Sequence, residues 1–561
     1  MSEGRPESRR SSVLAARRHS TIAEDEAQLA ALGHKTELKR NFSMVSMLGL
    51  AFAILNSWTA LSASLSLALP SGGATSVLWG LITAGVCNLC LAASLAEFLS
   101  AYPTAGGQYH WVAVIAWKNW VPSLSWITGW VNVAGWVALT ATGGLLGSQL
   151  IIGAIALFHS TYEAKRWHQF LIYIAYTLAA FIFNAYTTRL LSLFNQAALI
   201  WSLTGFVVIC ITLLSCASPD FQSAKFVFTN FINETGWPDG IAWLLGLLQG
   251  GFGLTGFDAV SHMIEEIPNP SYKGPIVMIG CVGIGIGTGF IFLMILLFVL
   301  KDVNNVIESS LGPLVQIYYD ATGNKAGSVC LLMFSLVCML FATTGIMTTS
   351  SRMTYAFARD GGLPFSRIFA RVHPRFNVPL NALYLTTGLV IIFGCIFLGS
   401  SAAFNAIVSA SVVALTISYA IPPAINCLRG RKCLPADRAF KLPEPIGWFC
   451  NLVRFPYPSS PSHPLPTLTF FYPVQLGLAY AILTTVLFLF PSDLPVSGSS
   501  MNYAVAAMGI VFLISVVTWI VDGRKNFKGP KMDAEALAAG DVLGMVPEAD
   551  KVSEEEREKG L

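Results

Sequence analysis

Asp258 is the residue best placed to do chemistry in this chain. It closes the run Gln249-Gly250-Gly251-Phe252-Gly253-Leu254-Thr255-Gly256-Phe257-Asp258, which carries four glycines in seven positions. Each glycine weakens a helix by up to about 1 kcal/mol. A backbone that breaks inside an apolar segment must re-pair its freed groups or line a cavity with them. An acid beside freed carbonyls attracts an ammonium group or holds a proton, and exposed N–H groups at a half-helix N-terminus attract a carboxylate. His262, one turn after Asp258, is a candidate partner in a proton relay; the plain alternative is a histidine held by structural hydrogen bonds. A second irregularity is Asn56-Ser57-Trp58-Thr59, at mid-depth of another apolar segment and followed by Ser62, Ser64 and Ser66. Asn, Ser and Thr compete for backbone hydrogen bonds and favour breaks and caps. Trp58, Phe252 and Phe257 offer aromatic faces to a cationic nitrogen, although any single aromatic here is more simply explained by packing.

The segments that hold these residues are membrane spans by composition. Of 561 residues, 54% are hydrophobic and 12% charged, about half the charge of an average soluble domain. That excludes an ordinary soluble enzyme, a disordered protein and a disulfide-stapled secreted domain. A net charge of +3 gives no case for a nucleic-acid partner. Twelve segments approach the roughly 20 apolar residues a bilayer requires: 43–69, 75–99, 125–157, 168–187, 191–216, 241–265, 275–300, 328–350, 378–399, 402–427, 471–490 and 502–521. Backbone groups in lipid must pair internally, and the short alternating strands of a barrel are missing, so these are helices. The expected fold is an all-α polytopic membrane protein with twelve transmembrane helices. An even count puts both termini on one side. Of 34 Lys and Arg, 29 fall on that side, which places both tails in the cytosol. Discontinuous helices at matching places in two halves point to a transporter site. Spans 1 and 6 are five apart, which fits a five-plus-five inverted repeat: 43–216 and 241–427, with 217–240 an extracellular loop, 428–470 a cytosolic loop and 471–521 two appended spans. Residues 1–42 and 522–561 read as disordered cytosolic tails.

Charges at mid-helix cost about 2.5–3.5 kcal/mol each on insertion scales, so the few present are clues. Besides Asp258, the spans carry Glu97 near a cytosolic end and Glu265 and Glu266 at the end of span 6. Arg352, Arg359 and Asp360 follow span 8 on the same side. Glu97 or Asp360 is expected to pair with one of these arginines as an inner gate; the alternative is simple positive-inside anchoring. Asn233-Glu234-Thr235 is an N-glycosylation acceptor on the outer side, whereas Asn41-Phe42-Ser43 is cytosolic and unused. Cys87 and Cys90, a CxxC inside an apolar helix, read as packing residues. Cys216 and Cys330 near outer helix ends leave a disulfide open. Gly285 and Gly289, and Gly143 and Gly147, read as close helix packing. The eight histidines are scattered. They suggest no metal site, and with no Walker A motif the chain reads as neither an enzyme nor an ATP-driven pump, with no cofactor. The tail clusters Arg9-Arg10-Ser11-Ser12 and Arg17-Arg18-His19-Ser20-Thr21 suit phosphorylation or anionic lipid.

Longer motifs carry a resemblance. They are Asn56-Ser57-Trp58, the stretch Ala96-Glu97-Phe98 through Pro103-Thr104-Ala105-Gly106-Gly107-Gln108-Tyr109, Asn233-Glu234-Thr235-Gly236-Trp237, Gly256-Phe257-Asp258 through Glu265-Glu266, and Ser351-Arg352-Met353 through Asp360-Gly361-Gly362-Leu363-Pro364. Over about Glu24 to Asp522 the chain resembles the amino acid–polyamine–organocation superfamily, and within it the fungal amino acid/choline permeases that include GABA and choline permeases. The resemblance implies a LeuT-like fold with broken helices 1 and 6, alternating access, and proton coupling. It implies substrate binding by Asn56, Ser57, Trp58 and Thr59 and by Phe252, Gly253, Leu254, Thr255 and Gly256, with Phe252 as a lid. It implies proton sensing at Asp258. The glycine-rich span-1 signature of distant relatives is replaced here by Asn56–Thr59.

The sequence thus points to a secondary active transporter of a small nitrogenous solute, such as an amino acid, GABA or choline, whose other partners are protons and the lipid bilayer. A nutrient receptor on a transporter scaffold, or a carrier dedicated to a secondary-metabolite precursor or product, fits the same residues. The plasma membrane is the default location; oligomeric state is not legible.

Overall fold

The computed structural model describes residues 25–26, 28–30, 32–34, 42–159, 161–187, 190–399, 403–436, 438–444, 446–447, 476–498 and 501–530. The basic-hydroxyl clusters of the N-tail, Asn41 of the cytosolic sequon, the 428–470 loop beyond 447 and the C-tail beyond 530 lie outside the described residues. Among the described residues there is no named strand, only an isolated bridge between Ser71 and Asn233.

The chain enters the bundle through α1 (Met44–Leu55), which a reciprocal cap starts: Ser43 Oγ accepts from the Ser46 N–H at 3.2 Å, and Ser46 Oγ accepts from the Ser43 N–H at 2.8 Å. Asn56 then adopts φ 42°, ψ 38° and ends the helix, a left-handed conformation that Asn tolerates better than most residues. A short α2 (Ser57–Ala63) continues to the opposite face. There follow α3 (Gly73–Ala101), α4 (Gln108–Ile115), α5 (Val121–Phe158), α6 (Arg166–Tyr186) and α7 (Leu191–Ala217). The sixth crossing is interrupted too: α8 (Asp239–Phe252) stops, and a single turn, α9 (Ala259–His262), follows six residues later. The second half continues with α10 (Pro270–Val299), α11 (Pro313–Thr322), α12 (Lys325–Arg359), α13 (Leu380–Gly394), α14 (Ala403–Leu428), α15 (Leu476–Leu487) and α16 (Ala504–Thr518).

Nine of the described helical segments are long and apolar enough to cross a membrane; α13 and α15 are shorter apolar helices. The twelve expected crossings include those two and the interrupted sixth, which length alone does not count. The lateral surface is apolar where α6, α7, α13 and α16 face outward: Ile182, Ile200, Ile392 and Leu513 are all more than half exposed. Water would charge heavily for that surface; lipid would not.

Packing glycines hold the broken first helix against α10. A Cβ at Gly285 would meet Ser57 Oγ at 2.5 Å, and one at Gly289 would meet Leu61 at 2.6 Å. Gly143 lies equally close to Thr343, and Gly147 to Tyr176, so the packing reading of these four suits their geometry. It also extends into the glycine-rich run, where Gly250 and Gly253 lie against α3 and Leu61. Only Gly256, at φ +102°, needs glycine for its backbone conformation. Cys216 and Cys330 are both free thiols, so no bridge joins them.

Candidate functional site

Both interruptions lie where the sequence suggested, but they present different chemistry. At the first, Asn56 spends its side chain elsewhere: Nδ2 donates to Met339 Sδ at 3.0 Å, and no side-chain cap covers the start of α2. Ser57 Oγ and Thr59 Oγ1 are buried without hydrogen-bond partners, which suits groups kept for a solute. Trp58 is committed to structure. Its Nε1–H donates to Ser202 Oγ at 2.9 Å, and its ring meets Phe292 edge-on at 4.9 Å.

At the second interruption Thr255 Oγ1 donates to the Gly251 carbonyl at 2.7 Å, and the Gly256 N–H donates to Tyr419 Oη at 3.2 Å. Gly253 and Leu254 fold back in turns onto Gln249 and Gly251. Phe252 ends α8 almost fully buried. Most freed backbone groups here are thus re-paired inside the protein, as an apolar medium demands.

Asp258 is fully buried and surrounded by donors. Oδ1 accepts from Tyr419 Oη at 2.5 Å. Oδ2 accepts from Gln108 Nε2 at 2.9 Å, with Trp136 Nε1 at 3.3 Å and Asn132 Nδ2 at 3.4 Å. His262 completes the ring, its Nε2 3.1 Å from Asp258 Oδ2 and its Nδ1 2.9 Å from the Ala105 carbonyl oxygen. Both of those partners are acceptors. A neutral imidazole carries one N–H, so a neutral His262 beside an ionised Asp258 leaves one contact without a hydrogen. One further proton, on the ring or on the carboxyl, satisfies both. The two contacts together thus call for one more hydrogen than a neutral His262 and an ionised Asp258 carry.

The expected inner-gate residues are all at the end of the bundle where His34 and Phe527 pack, here called the terminal face, but their pairing differs from expectation. Glu97 does not pair with Arg352 or Arg359. It binds Arg431 at 2.8 Å and also Arg438, two arginines from the 428–447 segment that sequence reading treated only as basic loop charge. Arg352 pairs with Glu266 and Arg359 with Glu265, each at 3.2 Å. Asp360 accepts from Tyr109 Oη at 2.7 Å and lies 3.7 Å from His34 Nε2. Burial pushes the Asp360 carboxyl up to about 6, against the pull of Arg359 and the Tyr109 hydrogen bond. Burial also pushes His110 down to about 4 and His34 to about 2. The loop 102–108 is tied to this cluster twice: Ala105 N–H donates to Glu265 Oε1 at 3.0 Å while its carbonyl faces His262.

The opposite face is hollow. Cavities of about 240 and 150 Å³ flank the tip of the first crossing and share Ser66. Asp258 lines neither of these two cavities, and its oxygens accept from protein donors. Asn233, the proposed glycan acceptor, is half-buried, and its Nδ2 donates to the Trp237 carbonyl at 2.7 Å and Asp239 Oδ1 at 2.9 Å.

Sequence reading missed Gln108, Asn132, Trp136 and Tyr419, the donors around Asp258. One signal was there to find: Asn132 and Trp136 are one turn apart on α5, a polar pair on one face of an apolar helix.

The sequence model of the family described as amino acid permease matches residues 42–513. A choline transporter of Saccharomyces cerevisiae is 32% identical over 509 residues, covering 90% of this chain and 85% of its own length. A putative amino acid/polyamine transporter of Macrophomina phaseolina is 34% identical over 469 residues, covering 82% of this chain and 97% of its own. An amino-acid permease BAT1 homolog of Oryza sativa is 32% identical over 524 residues, covering 90% and 95%.

Proposed function

The chain belongs to the amino acid permease family, and from that premise we propose that it carries a small ammonium-bearing solute, choline or an amino acid, across the plasma membrane in exchange for the energy of a proton gradient. It is a multi-pass membrane transporter and not an enzyme. The solute sits at the two interruptions, with Ser57 Oγ and Thr59 Oγ1 as its unpartnered polar contacts and Phe252 as the lid above the second break. The terminal face is the cytosolic one, on the 29 of 34 basic residues assigned to that side. Alternating access then requires the Glu–Arg pairs of that face to part while the opposite hollows close.

One observation carries the coupling: His262 lies between two acceptors, the Ala105 carbonyl and Asp258, which can both be satisfied only when the pair holds an extra proton. Loss of that proton removes a hydrogen bond either to the 102–108 loop or to Asp258, so the proton's departure loosens the closed face. Asp258→Asn tests this, because the amide keeps the shape but cannot hold the charge. Uptake of labelled choline and amino acids by permease-deficient yeast is expected to lose its dependence on outside pH. The amount of protein in the membrane should be unchanged. Uptake that remains pH-dependent removes Asp258 from the coupling.

A further inference from the structure

The two outer hollows are lined differently. The larger has only neutral residues around it, among them Gln149, Gln169 and Ser309. The smaller, of about 150 Å³, lies between the first crossing, α8, α14 and the end of α15, and its one charged lining residue is Asp493. Phe488 and Phe490 line the same space. Ser409 does so too, 1% exposed and with an Oγ that has no hydrogen-bond partner. A buried hydroxyl left unpaired at the wall of a cavity is the place for a ligand's polar atom. Leu248 is among the lining residues of this hollow, and Phe252 follows one turn further along the same helix and on the same face. The hollow therefore lies one helical turn from the lid.

We infer that this chamber is an outer subsite for small organic cations, in which an ammonium group rests among Asp493, Phe488 and Phe490 while Ser409 Oγ hydrogen-bonds the solute's polar tail, before Phe252 turns aside. The inference rests on the transporter reading and adds to it the class of solute. A cavity of about 150 Å³ takes a guest of roughly benzene's size, which admits a small ammonium compound and excludes a peptide. A carboxylate with aromatic neighbours favours a cation, with or without N–H groups, over a zwitterion, because the zwitterion's own carboxylate meets the same negative charge. Asp493 is exposed, so its attraction acts through water and weakens with salt.

The test is uptake kinetics of the full-length protein in yeast lacking its own choline and amino-acid permeases, with labelled choline and labelled alanine as the two probes. Asp493→Asn is expected to raise the KM for choline by about 3–10-fold, with maximal rate and membrane level unchanged and the KM for alanine moved less than about twofold. Raising the ionic strength from 10 to 150 mM should weaken choline uptake in the natural protein and not in the variant. Ser409→Ala should raise the choline KM by about threefold. An unaltered choline KM, or equal shifts for choline and alanine, overturns the subsite. Alanine uptake without choline uptake overturns it too, while leaving the permease reading intact. If neither probe is carried, that reading fails for these solutes. Thermal stabilisation of the purified full-length protein by choline then decides the subsite separately: stabilisation lost in Asp493→Asn supports it, and none in the natural protein overturns it.

Discussion

At the terminal face Glu97, Glu265 and Glu266 each meet an arginine in a buried pair. At the opposite face the lining of the two hollows offers hydroxyls, amides, leucines and a single exposed acid. Buried ion pairs are costly to desolvate, and the cost is offset only while both partners stay in place. A face shut by such pairs is therefore either fully shut or strained, whereas a face of neutral side chains can close by packing in small steps. The contrast teaches where the main barrier of the transport cycle lies. On the proposed reading it lies beside the loop 102–108, which His262 joins to Asp258 through the Ala105 carbonyl.

The hardest way to break this contrast is to strip the terminal face of one carboxylate. Glu97→Gln removes the carboxylate that Arg431 and Arg438 share, a loss of up to about 3–5 kcal/mol where one partner of a buried pair is removed. The closed state should lose population. Labelling of the half-buried Cys433 by a membrane-impermeant maleimide in inside-out vesicles should speed up by tenfold or more. Labelling at the natural rate would show that Glu97 anchors the helix and does not gate it.

A smaller effect, of opposite sign, is expected at Asp360. Its carboxyl is held up at about 6, with burial as the main cause. An acid whose pKa is raised by folding supports the fold while protonated. That support is complete below the ordinary aspartate range and is lost as pH rises through about 6. Asp360→Asn removes the ionised form. It should raise thermal stability at pH 7.5 by up to about 2–3 kcal/mol and flatten the fall in stability between pH 4 and 6.5. A variant less stable than the natural protein at pH 7.5 would show that the charge is needed at the seal.

The core between the faces gives a third contrast, within one helix. Gly285 faces Ser57, while Gly287 has open space around it. Gly285→Ala should cost about 1–3 kcal/mol by overpacking and slow transport. Gly287→Ala should be neutral in both. Equal effects would mean that α10 and the first crossing are not in close register.

How much of this was legible in the chain follows from the range of each interaction. The breaks were legible because glycine density, and an Asn-Ser pair inside an apolar run, are local signals. Asp258 was legible as one acid in an otherwise neutral span. Its five partners were not, because they come from α4, α5, α9 and α14, brought together only by helix packing. The same distance hid the partners of Glu97, which are more than 330 positions away. The sequence showed charges of opposite sign at one face and could not show which ones meet. The direction of a side chain was equally hidden: Trp58, placed with the solute by its neighbours in sequence, is turned to Ser202.

The finest test concerns Phe252, where the hollow region meets the sealed one. Its burial at the end of α8 supports two roles that a deletion to alanine would confound. As bulk, the ring closes the chamber to any solute. As an aromatic face, it favours a cation by about 0.5–1 kcal/mol. Phe252→Leu keeps most of the volume and removes the face. If the lid works by bulk alone, apparent affinities for choline and alanine should stay within about twofold of the natural protein. If the ring also recognises charge, choline affinity alone should fall by about 2–5-fold. A fall shared by both solutes would mean that leucine does not seat in the same space, and that the shape of the ring, not its charge, separates the two halves of the pathway.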